Sequence, residues 1–157
     1  MDKGIYCLVF KNPGCTIRIG ALGEITFQPG WHCYIGSALG SGGLKRLERH
    51  ISLAAQRDKR PKWHVDYLLS SPLFSLVYAV CGVTSERLEC RLAHELGGDE
   101  VPKFGCSDCT CLSHLFYRQC DPEAELISAF RQLRLTPTTK TIMNPDCLLY
   151  TSPSPRD

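Results

Sequence analysis

A chain of 157 residues with 43% hydrophobic and 22% charged residues has the make-up of an ordinary globular protein, which excludes a disordered or fibrous chain and leaves one domain as the expectation. Formal net charge is only +2, so a polyanionic partner has to be argued from where the charge sits, not from its total. No apolar run approaches the roughly 20 residues that span a bilayer, and Met1-Asp2-Lys3 runs straight into a strand-like stretch, so a cytoplasmic protein without membrane contact is expected.

Gly4 to Phe10 is an apolar run with β-branched and aromatic members, closed by Lys11-Asn12-Pro13-Gly14, and predicts a strand followed by a turn. Thr16 to Gly20, Glu24 to Phe27 and Trp31 to Ser37 add three short strands, so the first forty residues predict an antiparallel meander. From Ser41 the period changes. Leu44, Leu47, Ile51, Ala54 and Ala55 fall on one side of a helix entered through Ser41-Gly42-Gly43. Lys62 to Leu69 predicts a second helix, Leu73 to Val83 a buried strand, and Thr84 to Leu96 a third helix closed by Gly97-Gly98. Ser113 to Arg118 reads as a strand, and Asp121-Pro122 opens a last helix to about Leu133, with proline where its missing N–H costs nothing. The fold class expected is α/β of the α+β type, a small, mainly antiparallel sheet flanked by helices.

The last eleven residues, Cys147 to Asp157, resemble the translated read-through of a sequencing-library adapter, and a Ser/Pro-rich disordered end is the other reading. The expected domain is therefore 1–146, with 147–157 set aside as a tail. Of the ten cysteines, Cys7, Cys33, Cys81 and Cys90 sit inside apolar patterns, where cysteine acts as a small core residue, and reduced thiols are expected. Cys106, Cys109, Cys111 and His114 put four soft ligands within nine residues, enough in number for a structural metal. Zinc is nevertheless not expected: Cys109 and Cys111 are too close for the usual knuckle, and no remote ligand pair completes the pattern.

Charge is distributed unevenly. Lys45, Arg46, Arg49, Arg57, Lys59, Arg60 and Lys62 crowd one segment against only Glu48 and Asp58, which suits phosphate contacts or a solvated helix face. On the first helix Arg46 and His50 are four residues apart and stack on one flank beside the apolar stripe, where a guanidinium and an imidazole can address one phosphate. On the third helix, with Leu88 at zero, Leu92, Leu96 and Ala93 fall at about 40°, 80° and 140° and Glu89 at about 100°, inside the apolar arc. A carboxylate turned inward needs a metal, an arginine or an aqueous cleft. His64 and Asp66 are two apart and do not share a helix face, so a capping role competes with a substrate or supporting role.

Gly4-Ile5-Tyr6 on the first strand, Tyr34-Ile35-Gly36 on a later one, and Arg46-Leu47-Glu48-Arg49-His50 on the following helix, with an inward glutamate further on, together resemble the GIY-YIG nuclease superfamily. Within it the chain is most similar to a stand-alone branch, domain of unknown function 123, sometimes fused to base-excision glycosylases. That likeness runs over nearly residues 4 to 118 and rests on Tyr34 to Leu44, Trp63 to Tyr67 and Gly105 to Tyr117. The resemblance implies hydrolysis of a nucleic-acid phosphodiester with one Mg²⁺ or Mn²⁺ ion held by Glu89. It implies Tyr6 as base for the attacking water, Tyr34 as a phosphate or water ligand, Arg46 as the transition-state clamp and His50 as a proton relay.

Gly36, Ser37, Gly42, Gly43, Lys45, Arg49, His64 and Asp66 are the candidate substrate-binding residues, the glycine-rich loop either cradling a phosphate or simply turning the chain. The chain departs from the better-studied nucleases in that longer loop and in having no assignable asparagine after Glu89. Within these 157 residues no second DNA-binding domain is expected. The partners expected are nucleic acid, DNA ahead of RNA, and a repair glycosylase or another repair protein. The competing readings are a catalytically inert nucleic-acid or protein-binding module on the same scaffold, and a structural accessory to a glycosylase.

Overall fold

The computed structural model describes residues 2–56, 64–104 and 113–142. Its central element is strand β1 (Gly4–Asn12), in which every residue from Gly4 to Phe10 is buried. A strand that is apolar on both faces has to be covered on both, and this one is. Ile5, Cys7 and Val9 point into one core, Tyr6, Leu8 and Phe10 into a second. Strand β4 (Gly30–Ala38) pairs with β1 on one edge and β5 (Ser75–Val83) on the other, both antiparallel. Two short strands complete the sheet, β6 (Leu115–Arg118) beside β4 and β7 (Thr138–Thr141) beside β5, giving the order β6-β4-β1-β5-β7, antiparallel throughout.

Helices cover both faces. Helix α1 (Lys45–Gln56) contributes Leu47, and helix α2 (His64–Ser70) contributes Val65, Leu68 and Leu69, to the core under Tyr6, Leu8 and Phe10. Helix α3 (Glu89–Leu96) and helix α4 (Glu123–Gln132) supply Leu92, Ala93, Leu96, Leu126, Ala129 and Phe130 to the opposite core, which also takes in Cys33, Ile35, Tyr78 and Val80. The expected fold class, a mainly antiparallel sheet flanked by helices, is the one found.

Four expectations change in detail. Strands β2 (Cys15–Arg18) and β3 (Glu24–Phe27) pair only with each other, so the first forty residues form a hairpin inserted between β1 and β4 instead of a four-strand meander. Asn12 ends β1: its carboxamide oxygen accepts from Gly14 N at 2.7 Å, turning the chain out of the sheet. The third helix starts at Glu89, not Thr84, because the Thr84 hydroxyl accepts from Glu86 N at 3.1 Å and holds that stretch in a local turn. Leu88, Leu92, Ala93 and Leu96 are buried as expected, but Glu89, as the first helical residue, is half-buried instead of enclosed in the apolar arc. Strand β7 was not anticipated, since Thr-Thr-Lys-Thr carries no apolar alternation and forms only an exposed edge. Cys7, Cys33 and Cys81 are buried, unbridged thiols. The tail 147–157 and the cysteines Cys106, Cys109 and Cys111 lie outside the described residues.

Candidate functional site

Tyr6 and Gly36 are register partners across β1 and β4, and the tyrosine ring lies over the glycine. A Cβ placed on Gly36 would sit 2.6 Å from both Cζ and the hydroxyl oxygen of Tyr6, closer than real Cβ contacts come, so only glycine leaves room for the ring. Leu8 and Tyr34 are the neighbouring partners, which puts Tyr6, Tyr34 and Gly36 on one face of the sheet. The two tripeptides are thus a single piece of structure.

Helix α1 lies over that face. His50, expected beside the apolar stripe, is buried at 5% exposure, because its Nε2 is 3.0 Å from the Tyr6 hydroxyl and the imidazole is satisfied inside the protein. Burial lowers the His50 pKa to about 4; Arg46 and Arg49 push it the same way and Asp66 opposes them, so the ring is neutral at physiological pH. Arg46 stays exposed one turn earlier, its guanidinium donating to the Ser37 carbonyl at 3.2 Å. That bond holds it near the end of β4.

Burial raises the Tyr6 pKa well above that of an ordinary phenol, with Tyr34, Glu89 and Asp66 adding to the rise and Arg46 opposing it. The same interactions bring Tyr34, Arg46, Asp66 and Glu89 within electrostatic reach of one hydroxyl. Of the five residues singled out from the sequence as catalytic, His50 bonds the Tyr6 hydroxyl, and Tyr34, Arg46 and Glu89 act on it electrostatically, Glu89 from a helix packed against the opposite face of the sheet. Its place in the first turn of α3 suits a negative charge. Asp66, only 6% exposed on α2, acts electrostatically on both Tyr6 and His50.

A family model described as Domain of unknown function DUF123 matches residues 5–135. The chain belongs to this family. No curated protein and no solved structure matches it.

Among the remaining candidates in this DUF123 domain, His64 and Tyr34 flank a residue that the sequence analysis did not single out. Phe104, fully buried, has its ring centroid 6.0 Å from that of Tyr34 and 5.4 Å from that of His64. No motif or period marks Phe104; only the fold brings it there. His64 is half-buried, and burial lowers its pKa. Lys45 and Arg49 are exposed on α1 beside Arg46, while Arg57, Lys59, Arg60 and Lys62 lie outside the described residues. In the glycine-rich loop the amides of Gly43, Leu44, Lys45 and Arg46 donate to the carbonyls of Gly40, Asp2, Gly42 and Gly43, which turns the chain into α1. Gly43 needs its positive φ of 57° for that turn, and Gly42 is exposed on it.

His114 is buried, its backbone N–H donating to Phe104 and its carbonyl accepting from Ile35. Among the described residues no group of three or more His, Cys, Asp or Glu side chains is arranged to hold a metal ion. Acting on the Tyr6 hydroxyl are the Glu89 and Asp66 carboxylates and the Tyr34 phenol, oxygen groups of the kind a hard divalent cation takes, with the His50 nitrogen bonded to Tyr6 itself. A cavity of about 360 Å³ lined by Cys90, Arg91, His94 and Leu133 belongs to the α3–α4 side and does not touch the tyrosines. Among the described residues no helix is long and apolar enough to cross a membrane.

Proposed function

We propose that this DUF123 domain hydrolyses nucleic-acid phosphodiesters in the manner of the GIY-YIG nucleases, using one Mg²⁺ or Mn²⁺ ion held by Glu89. The observation that carries the reading is the buried Tyr6 hydroxyl at 3.0 Å from a neutral His50, with Arg46, Tyr34 and Glu89 within electrostatic reach. Bound at Glu89, the ion would neutralise charge on the phosphate and on the departing oxygen.

The side chains divide the rest of the work. A phenol whose pKa is raised by burial is a weak base by itself, so Tyr6 takes a proton from water only as it hands its own to His50. The water oxygen then bonds to phosphorus while the bond from phosphorus to the ester oxygen breaks. Arg46 faces the phosphate oxygens as their charge grows, and Tyr34 holds a phosphate oxygen or a water. Exposed Lys45 and Arg49, with Arg46 on the same helix, dock the neighbouring phosphates, while Gly36, Ser37, Gly42 and Gly43 shape the wall of the site. DNA is the expected substrate ahead of RNA, and a repair glycosylase the expected protein partner.

The test is nicking of supercoiled plasmid, single-stranded circular DNA and a synthetic branched duplex, with Mg²⁺ or Mn²⁺ added or chelated. Wild-type protein is expected to cleave at least one of these in a metal-dependent way, with a loss of about 10²-fold or more in Glu89→Gln and in Tyr6→Phe. Equal cleavage by Glu89→Gln overturns the reading. Salt-sensitive binding of all three DNAs without turnover assigns the scaffold instead to an inert binding module.

A further inference from the structure

Three aromatic rings from separate parts of the chain meet beside the Tyr6 strand: Tyr34 from β4, His64 from the first turn of α2 and Phe104 from the stretch before β6. Phe104 stands edge-on to both of the others, with ring centroids 6.0 Å from Tyr34 and 5.4 Å from His64. Its backbone is held from two sides. The N–H donates to the Val101 carbonyl at 3.3 Å, and the carbonyl accepts from His114 N at 2.9 Å, while the His114 carbonyl accepts from Ile35 N at 2.9 Å. Phe104 is thus tied to β4 next to Tyr34 and is fully enclosed, whereas Tyr34 and His64 are half-buried and each keep part of their surface open.

The sheet register places this group. Leu8 pairs with Tyr34 and Tyr6 with Gly36, and residues two apart on a strand share a face, so the rings begin on the face that carries Tyr6. Arg46 bonds the carbonyl of Ser37, three residues along β4 from Tyr34, which at the usual rise of a strand is about 10 Å away. Charge separates the two regions. Lys45, Arg46 and Arg49 are exposed cations on α1, whereas burial lowers the His64 pKa and leaves its ring uncharged at neutral pH beside a phenol and a phenyl ring. Phosphate is drawn to the first region; a flat, uncharged ring suits the second, and every nucleobase has such a face.

We propose that Tyr34 and His64, held in place by Phe104, form a subsite that stacks one unpaired nucleobase beside the phosphate met by Arg46. The proposal rests on the nucleic-acid reading above, but not on cleavage. A base inside a duplex is covered by its neighbours and shows only its edge, so the occupant comes from single-stranded or locally opened DNA. The Tyr34 ring makes this contact, while its hydroxyl is the group assigned above to a phosphate oxygen or a water. The subsite adds a base contact to a site whose other ligand groups address phosphate and metal.

The experiment compares two probes of equal charge on the full-length protein, with chelator present so that nothing is cleaved: a single-stranded thymidine hexanucleotide, and the same phosphate chain built only of abasic tetrahydrofuran residues. Anisotropy gives both affinities, and NMR follows the Cε1–H lines of the five histidines, with His64 assigned by its loss in His64→Ala. The thymidine strand is expected to bind about tenfold more tightly than the abasic one and, alone of the two, to move the His64 line. His64→Ala should remove most of that tenfold difference and leave the abasic strand unaffected, while His64→Phe, which keeps a ring, should retain the difference. Equal affinity of the two strands, or no binding of either, overturns the proposal. So does a loss shared alike by His64→Ala and His64→Phe, or one that extends to the abasic strand. Should His64→Ala not fold, the wild-type affinities and spectra decide, with His64→Phe supplying the assignment. Base-dependent binding through His64 in a protein that nicks no DNA supports the subsite and removes the nuclease reading; metal-dependent nicking with equal binding of the two strands does the reverse.

Discussion

At Gly36 the difference between one hydrogen and one methyl group decides where a tyrosine sits. The Tyr6 ring rests on the Gly36 Cα and its hydroxyl reaches His50, so a methyl group 2.6 Å from Cζ has to push the ring away from the imidazole. Gly36→Ala is expected to cost about 1–3 kcal/mol by overpacking and to cut nicking sharply. A double-mutant cycle in urea separates the cause: combined with Tyr6→Leu, the cost of Gly36→Ala should fall well below its value alone. Strictly additive costs would place the clash elsewhere. Both tripeptides were legible in the sequence as motifs, but the contact between them was not, because it depends on the register that pairs residue 6 with residue 36. His50 shows the same limit. Helical spacing put it next to Arg46, whereas its burial follows from a hydroxyl 44 residues earlier, which no local period can reveal.

Helix α1 is built with two jobs on two faces. Leu44, Leu47 and His50 are buried, and Lys45, Arg46, Glu48 and Arg49 are exposed, so three cations lie together on the outer face of the helix. If these cations neutralise phosphates, replacing Lys45 and Arg49 together by Gln should flatten the salt dependence of DNA binding, reducing the slope of log K against log salt by about 2. Fluorescence anisotropy over a salt series measures that slope; an unchanged slope means DNA docks on another surface. This amphipathic pattern was legible because it is strong and local. The start of α3 was not, since the apolar spacing from Leu88 onward looks the same whether the helix begins at Thr84 or at Glu89. The Thr84 side chain settles the matter by bonding Glu86 N. That later start also leaves Glu89 half-buried, where a carboxylate in mid-helix would be enclosed among Leu88, Leu92 and Leu96. The β2–β3 hairpin was read as part of the main sheet because strand pairing between segments of similar alternation is a matter of tertiary context.

At the scale of the whole molecule, the core under Tyr6, Leu8 and Phe10 encloses two histidines as neutral rings. His32, 1% exposed, is bonded to the Asn12 carboxamide at 3.2 Å and set among Phe27, Phe74 and Tyr117; His50 is bonded to Tyr6. Burial lowers both pKa values to about 4, against 6.5 for an unperturbed imidazole. The unfolded chain therefore takes up protons below about pH 6.5 that the folded protein refuses until about pH 4, and stability falls as pH falls through that window. Each ring contributes up to about 1.4 kcal/mol per pH unit to the decline. Urea unfolding at pH 7, 6, 5 and 4.5 should show the loss, and in His50→Gln the pH dependence between 6 and 4.5 should be shallower, with the His32 contribution retained. Equal slopes in the two proteins would mean that His50 is already protonated in the folded state. The Tyr6 hydroxyl would then face a donor in place of an acceptor, and the proton could not leave it by that route.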